Sequence, residues 1–270
     1  MKAPVTSFQI QRIENGSAER TDDLLVTEEP LEIRLRHGPI DDRKEIQLSV
    51  TMRTPGDDEE LAIGFLYTEG IVSDPADLIS IKHCVDVKEE EKGNVIRAEL
   101  DPQIVIDPRR WQRNFYTTSS CGVCGKSSLD AVFVKCRPIA AIGDPDPKSI
   151  ASLPDKMRAA QTVFRHTGGI HAAALFDREG ELLLLREDIG RHNAVDKLIG
   201  AMLRGTIAPQ EKMLLVSGRA GFELVQKCAV AGIPLMAAVG APSSLAVQLA
   251  QNSGVKLIGF LRGDRFNIYS

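Results

Sequence analysis

The sequence has few aromatic residues, no charge of one dominant sign and no apolar run of membrane-spanning length. Runs such as Leu182–Leu185 have the length of core strands, whereas crossing a bilayer takes about 18–20 apolar residues. The opening "MKAPVTSFQIQRIENG" mixes in polar residues from Ser7 onward and lacks the unbroken apolar core of a signal peptide. No membrane insertion is expected, and the cytoplasm is the expected location. Aromatic residues make up 5%, and 33 basic residues face 37 acidic ones for a formal net charge of −4. That balance gives neither the basic field nor the stacking surface of a nucleic-acid binder. Five cysteines in a reducing compartment are not a disulfide framework. G-x-G-x-x-G and G-x-x-x-x-G-K-[ST] are both missing, which excludes the standard dinucleotide and P-loop motifs.

What is present is a chain of 270 residues, 43% hydrophobic and 26% charged, enough for one large domain or two modest ones. The first third reads as strand-rich α+β. "EIQLSVTMR" (45–53) alternates Ile46, Leu48, Val50 and Met52 on one side, the period of a half-buried strand. "TPGDDEELAIGFLYTEG" places acids at the start of an apolar helix that stops at Gly70. Residues 85–100 read as a hairpin turning near Lys92-Gly93-Asn94. A polar bridge over 107–120 carries the single Trp, and "GKSSLDAVFVKC" after it reads as a short helix. "DPDPKSIASLP" (144–154) reads as a proline-rich loop with helix-start signals, followed by a helix over "DKMRAAQTVF". From residue 170, a hairpin around Arg178-Glu179-Gly180 leads into alternating helices and apolar strands. The strands are continuous apolar runs and the helices end in glycine, which predicts crossovers onto a buried parallel sheet segment. The division is expected between residues 105 and 120, giving a region 1–115 and an α/β domain 116–270.

The chemistry-bearing stretch is "TTSSCGVCGKSSLD" (117–130), with Cys121 and Cys124 among small and hydroxylated residues. A structural zinc site needs four N or S ligands, and no second C-x-x-C exists to complete one, so no zinc is expected. If "GKSSLD" opens a helix, both sulfurs lie near its amides and Lys126, where positive potential favours the thiolate. Gly122 and Gly125 permit close approach of a partner. These residues describe a reactive dithiol without separating disulfide exchange from sulfur carriage.

Polar turns flank the strands of the C-terminal half, the first of them just before an apolar strand. "RHTGGIHAAALFD" holds His166 and His171, and Glu187, Asp188, Arg191, His192 and Asn193 crowd the next strand-to-helix turn. Ser217-Gly218-Arg219 and Ser243-Ser244 begin two more helices, and "GFLRGDRFNIYS" sets Arg262, Asp264 and Arg265 beside Phe260 and Phe266. Turns at the carboxyl edge of a parallel sheet are where α/β folds place ligands. Backbone amides with Arg219 suit a phosphate, and the last segment suits an anionic, guanine-like nucleotide.

"CGVCGKSSLD", "TGGIHAAALFD", "REDIGRHNAVDKLIG", "SGRAGFELVQK" and "AGIPLMAAVGAPSSLAVQLAQNSGVKLIGFLRGDRFNIY" together resemble one family, the formate dehydrogenase accessory proteins FdhD. The likeness spans about residues 115 to 269, and "TPGDDEELAIGFLYTEGIV" extends it over nearly the whole chain. It implies a cytoplasmic sulfurtransferase that accepts persulfide sulfur from a cysteine desulfurase. The sulfur goes to the bis(molybdopterin guanine dinucleotide) molybdenum cofactor, or its tungsten form, before insertion into formate dehydrogenase. The persulfide would form on Cys121 with Cys124 as its partner. The cofactor-binding segment would be Phe260, Leu261, Arg262, Gly263, Asp264 and Arg265, with His171, His192 and Arg219 as further contacts and a guanine nucleotide able to fill the site. The resemblance also implies a homodimer and a cytidine-deaminase-like α/β sandwich for the C-terminal part. No deaminase site is expected, because His171 is followed by Ala172-Ala173 rather than x-Glu and no proline precedes Cys121. One departure is Gly221, where a serine is expected. Two other readings use the same cysteines: a thiol–disulfide oxidoreductase, and a non-catalytic cofactor chaperone that only grips the metal.

Overall fold

The computed structural model describes residues 2–107, 139 and 142–270. Cys121, Cys124 and Cys136, the single Trp and the helix expected over "GKSSLDAVFVKC" lie outside them. The fold is mixed α/β. Residues 2–107 supply six strands and one α-helix: β1 (Val5–Glu14), β2 (Ser17–Val26), β3 (Glu29–His37), β4 (Lys44–Arg53), α1 (Asp58–Thr68), β5 (Leu78–His83) and β6 (Val95–Leu100). β1 and β2 form a separate hairpin, and the other four pair in the order β4-β3-β6-β5. The later elements are α2 (Pro147–Ala160), α3 (Thr162–Thr167), β7 (His171–Phe176), β8 (Leu182–Asp188), α4 (Arg191–Arg204), β9 (Met213–Val216), α5 (Phe222–Val230), β10 (Leu235–Ala238), α6 (Ser244–Ser253), β11 (Lys256–Arg262) and β12 (Arg265–Ile268).

These later strands form one six-stranded sheet, ordered β12-β11-β10-β9-β7-β8. Its centre is the expected parallel segment, β9, β10 and β11, joined through α5 and α6. Alternate residues serve two cores, which is why the strands read as unbroken apolar runs. Leu214, Val216, Met236, Ala238 and Leu257 pack under α4, α5 and α6. Met213, Leu215, Leu235, Ala237 and Ile258 pack under Ile150, Leu153 and Met157 of α2.

α1 joins the two sheets. Leu61, Ala62 and Leu66 cover the four-stranded sheet, and the opposite side of α1 lies on α4. That contact is made backbone to backbone. A Cβ built on Gly64 would overlap the carbonyl of Asp196, and one built on Gly200 would overlap that of Glu60. Apolar burial on both sides makes α1 hydrophobic nearly all round, as a helix between layers must be.

Several local expectations are corrected. The alternation in β4 holds only for Ile46 and Leu48. Ile33 faces Ser49 while Arg34 faces Gln47, so β4 carries one extra residue. Past this bulge the inward face passes to Ser49, Thr51 and Arg53, and Val50 and Met52 are 42% and 46% exposed. The hairpin expected over 85–100 is wider: β6 pairs with β5, and residues between them form the connection. α2 starts at Pro147, with Asp146 accepting from the Lys148 amide, and runs through Pro154. Burial of Ile150, Leu153 and Met157 outweighs the hydrogen bond that Pro154 cannot donate. The helix breaks at Gln161, and α3 begins with the amides of Thr162, Val163 and Phe164 on the Glu187 carboxylate, 2.9–3.0 Å away. The C-terminal segment does more than end a strand, because β12 turns back antiparallel to β11.

Candidate functional site at the carboxyl edge of the six-stranded sheet

Strands β9, β10 and β11 run parallel, so their following turns meet at one edge, and antiparallel β7 begins there with His171. The turns are hydrogen-bonded to each other. Gly240 N donates to Gly218 O and Phe260 N donates to Gly240 O, each at 3.0 Å. Ser217 N likewise donates to Ala172 O at 3.0 Å. Gly240 is required here: a Cβ on it would lie 3.0 Å from Arg219 Cα and from Gly218 O. Phe260 sits in the left-handed region at φ 55°, a genuine outlier for a bulky residue and a kind of strain that gathers at ligand sites. The residue is 41% exposed.

The hairpin β11–β12 continues from Phe260. Leu261 turns inward and is fully buried in the core under α2. Arg262, Gly263, Asp264 and Arg265 are exposed around the turn, where Gly263 has φ 54°. Arg219 is exposed on the neighbouring turn. Of the expected cofactor segment, therefore, Leu261 is a core residue, and the others face solvent.

His171 is half-buried, with Nδ1 3.4 Å from Ser217 Oγ. Ser217 Oγ also accepts from the Ala172 amide at 2.9 Å. Burial first, then the neighbouring Arg191 and His192, lowers the His171 pKa from its ordinary value of 6.5 and favours the neutral ring. His192 reaches sideways to α5, where its Nε2 is 2.8 Å from Glu223 Oε2. Ser243 is spoken for, since its side chain caps α6 by accepting from Ala246 N. Gly221 begins α5 with no atom within 4 Å of a Cβ built there, so the serine expected at this position has room.

The crowded turn between β8 and α4 divides into two roles. Glu187 caps α3, and Asp188 is a buried structural anchor. Its carboxylate accepts from Gly190 N at 2.8 Å, Asn193 Nδ2 at 3.1 Å and Thr54 N at 3.1 Å, and it pairs with Lys197 Nζ at 2.8 Å. Lys197 also donates to Thr54 O at 2.8 Å. Thr54 follows β4, so the N-terminal sheet holds the turn that presents Arg191 and His192. Burial, outweighing Lys197, pushes the Asp188 carboxyl up.

Sequence reasoning placed His171, His192, Arg219 and the Phe260 turn near one another, and the fold gathers their elements at this edge. It did not find Glu223 as the partner of His192 or Gly240 as the point of closest approach. The available signal was an acid in the first turn of α5, directly after a sheet edge. Among the described residues no group of three or more His, Cys, Asp and Glu could hold a metal ion. No helix among them is long and apolar enough to cross a membrane.

The family model described as FdhD/NarQ matches residues 26–270. The chain belongs to the FdhD/NarQ family. Similar relatives in the family include the sulfur carrier protein FdhD of Streptomyces avermitilis, 50% identical over 268 residues that cover 97% of this chain and 92% of that protein. The sulfur carrier protein FdhD of Mycolicibacterium paratuberculosis is 49% identical, covering 97% and 95% of the two chains. A solved structure from Desulfotalea psychrophila, described as a formate dehydrogenase accessory protein, superposes with a TM-score of 0.73 at 25% identity. It covers 98% of this chain and 96% of that one.

Proposed function

We propose that this chain is a sulfur carrier in formate dehydrogenase maturation. The observation that carries the reading is near-50% identity, over almost the whole of both chains, to proteins bearing the name sulfur carrier protein. In this proposal the Cys121 thiolate attacks the terminal sulfur of a cysteine desulfurase persulfide. The donor's S–S bond breaks, its cysteine leaves as a thiolate, and Cys121 becomes the persulfide. The Cys124 thiolate then attacks the inner sulfur of that persulfide, closing a Cys121–Cys124 disulfide, and the outer sulfur leaves at the sulfide level for the molybdenum of the bis(molybdopterin guanine dinucleotide) cofactor, which is substrate here, before that cofactor enters formate dehydrogenase. Cys124 is the partner thiol. The chain works in the cytoplasm as a homodimer.

We assign the cofactor's guanine nucleotide to the carboxyl edge of the six-stranded sheet, with Phe260 against a ring and Arg262, Arg265 and Arg219 opposing phosphate. Three features support this: the exposed, strained Phe260, the arginines around it, and the close approach of backbone at Gly240. We also read the six-stranded sheet with α2 on one side and α4, α5 and α6 on the other as a cytidine-deaminase-like sandwich.

The test is sulfur mapping. Incubation with a cysteine desulfurase and cysteine, followed by mass spectrometry, should add about 32 Da, one sulfur atom, on Cys121 by the persulfide chemistry of low-pKa thiols. A sulfur adduct missing from both Cys121 and Cys124 overturns the carrier reading. Cys121→Ala should abolish maturation of the client enzyme, and Cys124→Ala measures how far the second thiol is needed.

A further inference from the structure

The ribbon β1–β2 stands apart from both larger sheets. Its strands pair from Val5 with Val26 to Glu14 with Ser17, and Asn15 and Gly16 turn the chain with φ 51° and 81°, both positive as a tight hairpin turn requires. Among the described residues no third strand joins either of them. At the base, Lys2 pairs with Glu29 and Thr27 N donates to Pro4 O at 2.9 Å. Further out, Phe8 and Ile13 are 52% and 64% exposed, and Leu24 and Leu25 are exposed as well. A lone two-stranded ribbon is marginal in water and needs further strands or packing on one face, and its free edges are templates for another strand.

The two edges differ in what they offer. The bond from Thr27 N to Pro4 O marks that pair as hydrogen-bonded, and such pairs alternate along an antiparallel ribbon. Thr6, Phe8, Ile10, Arg12 and Glu14 therefore bond to β2, while Val5, Ser7, Gln9, Gln11 and Ile13 turn their N–H and C=O groups outwards. This outer edge is self-complementary about Gln9. Laid antiparallel on a second copy, it sets Val5 against Ile13, Ser7 against Gln11 and Gln9 against Gln9 in hydrogen-bonded pairs. Phe8 then meets Ile10 and Thr6 meets Arg12, so apolar residues face apolar ones and no like charges meet. The outer edge of β2 fails the same test. A two-fold at Arg20 or Asp22 sets a charge against itself, and one at Thr21 sets Glu19 against Asp23.

We propose that β1 is a self-association strand: it pairs antiparallel with β1 of a second copy, with the two-fold at Gln9, and joins the two ribbons into one four-stranded sheet. This rests on the homodimer proposed above and names its surface. The outward groups of β1 supply about ten hydrogen bonds across the two-fold. Phe8 and Ile13, the most exposed apolar residues of β1, gain Ile10 and Val5 of the other copy as neighbours. The sheet so formed has the strand number that a lone ribbon lacks.

Sedimentation equilibrium of the full chain tests this, and the wild type should sediment as a dimer. Gln11→Pro removes an outward N–H without touching a bond to β2, and proline is tolerated at such an edge position. It should raise the dimer dissociation constant about tenfold to a hundredfold, through the loss of two hydrogen bonds related by the two-fold. Asp22→Pro makes the same change on the outer edge of β2 and should leave the constant unchanged. Gln9→Cys, combined with Cys121→Ser and Cys124→Ser, should link two copies through position 9 on mild oxidation, seen as a joined peptide by mass spectrometry. Facing Cα atoms about 5.5 Å apart in such a pair lie within disulfide range. An unchanged dissociation constant in Gln11→Pro overturns the proposal and leaves the homodimer to another surface. Equal weakening by Asp22→Pro, or no link through position 9, overturns it as well. A wild-type chain that stays monomeric at micromolar concentration removes the homodimer along with it, and sulfur loading of Cys121 tests the carrier reading separately.

Discussion

Replacing Gly200 by alanine should reverse the usual sign of a glycine-to-alanine change in a helix. In an open helix interior the change stabilises by about 0.8–1 kcal/mol. Here the added Cβ would sit 2.6 Å from the Glu60 carbonyl carbon and 2.9 Å from its Cα, well inside the contact distance of about 3.5 Å. The obstacle is backbone, so no rotamer relieves it, and α1 and α4 must part by about 1 Å. Contacts across the same junction then stretch. Arg186 Nη2 to Glu60 Oε1 and Thr68 Oγ1 to Asp196 Oδ1 both start at 2.8 Å and would pass beyond the hydrogen-bond range of about 3.2 Å. Overpacking costs about 1–3 kcal/mol and each weakened charged hydrogen bond about 1.5 kcal/mol. Against the helix-propensity gain, the net is a loss of about 3–5 kcal/mol, or about 6–20 °C in melting temperature for a chain of this size. Urea unfolding of Gly200→Ala against Gly221→Ala, whose Cβ meets nothing within 4 Å, supplies the measurement and its control. A Gly200→Ala protein as stable as wild type would refute the backbone-contact reading of this junction.

Arg53→Met should destabilise by about 3 kcal/mol in denaturant titration, because it removes the two bonds of 2.9 Å through which Arg53 grips the buried Asp58 carboxylate and leaves it only His83, 3.2 Å away. Gly221→Ser should raise stability by a few tenths of a kcal/mol through a new cap on α5, read as a higher urea midpoint at unchanged slope. Acidification should lower stability starting near pH 6.5. Burial, with nearby positive charge, holds the pKa of His171 and of His37 below that ordinary value. The unfolded chain therefore takes up protons that the folded one refuses. The contribution is complete above pH 6.5 and fades as pH falls towards the folded values, so His171→Gln should flatten the stability–pH curve below about pH 6.5.

The sequence revealed most where local pattern and tertiary environment agree. Strands β7, β9 and β10 and the first half of β11 are buried on both faces, so their apolar runs were readable, and glycines marked the ends of the helices between them. β4 was misread beyond Leu48 because a bulge depends on the partner strand, and nothing in "SVTMR" announces one. α2 was begun too late because Pro147 and Pro154 look like loop residues until their helix is seen packed on the sheet. At the sheet edge, the placing of His192, Arg219 and the Phe260 turn was readable from polar residues following strands, and that of His171 from its position just before one. The division of labour within "REDIGRHN" was not. Glu187 and Asp188 have the same local look as Arg191 and His192, and only distant partners, α3 for one and Thr54 for the other, assign them to architecture. Buried ion pairs were equally hidden. Lys227 lies on an apolar helix face, yet it meets Asp196 at 2.9 Å and Glu69 at 3.2 Å. Burial opposes its charge, and these carboxylates outweigh that to hold its pKa above the lysine value.

The wedged position of α1 also bears on how the chain is made. Its partners are far along the sequence: Glu60 waits for Arg186, 126 residues later, and Thr68 for Lys227, 159 residues later. A helix apolar on nearly every side emerges early in synthesis and has only one of its two covers, the four-stranded sheet, within early reach. At about 5–20 residues per second, its second face stays uncovered for roughly 6–30 seconds. Folding of this protein is therefore a long-range, late-closing event, and the interval before α4 arrives is when a chaperone has most to hold.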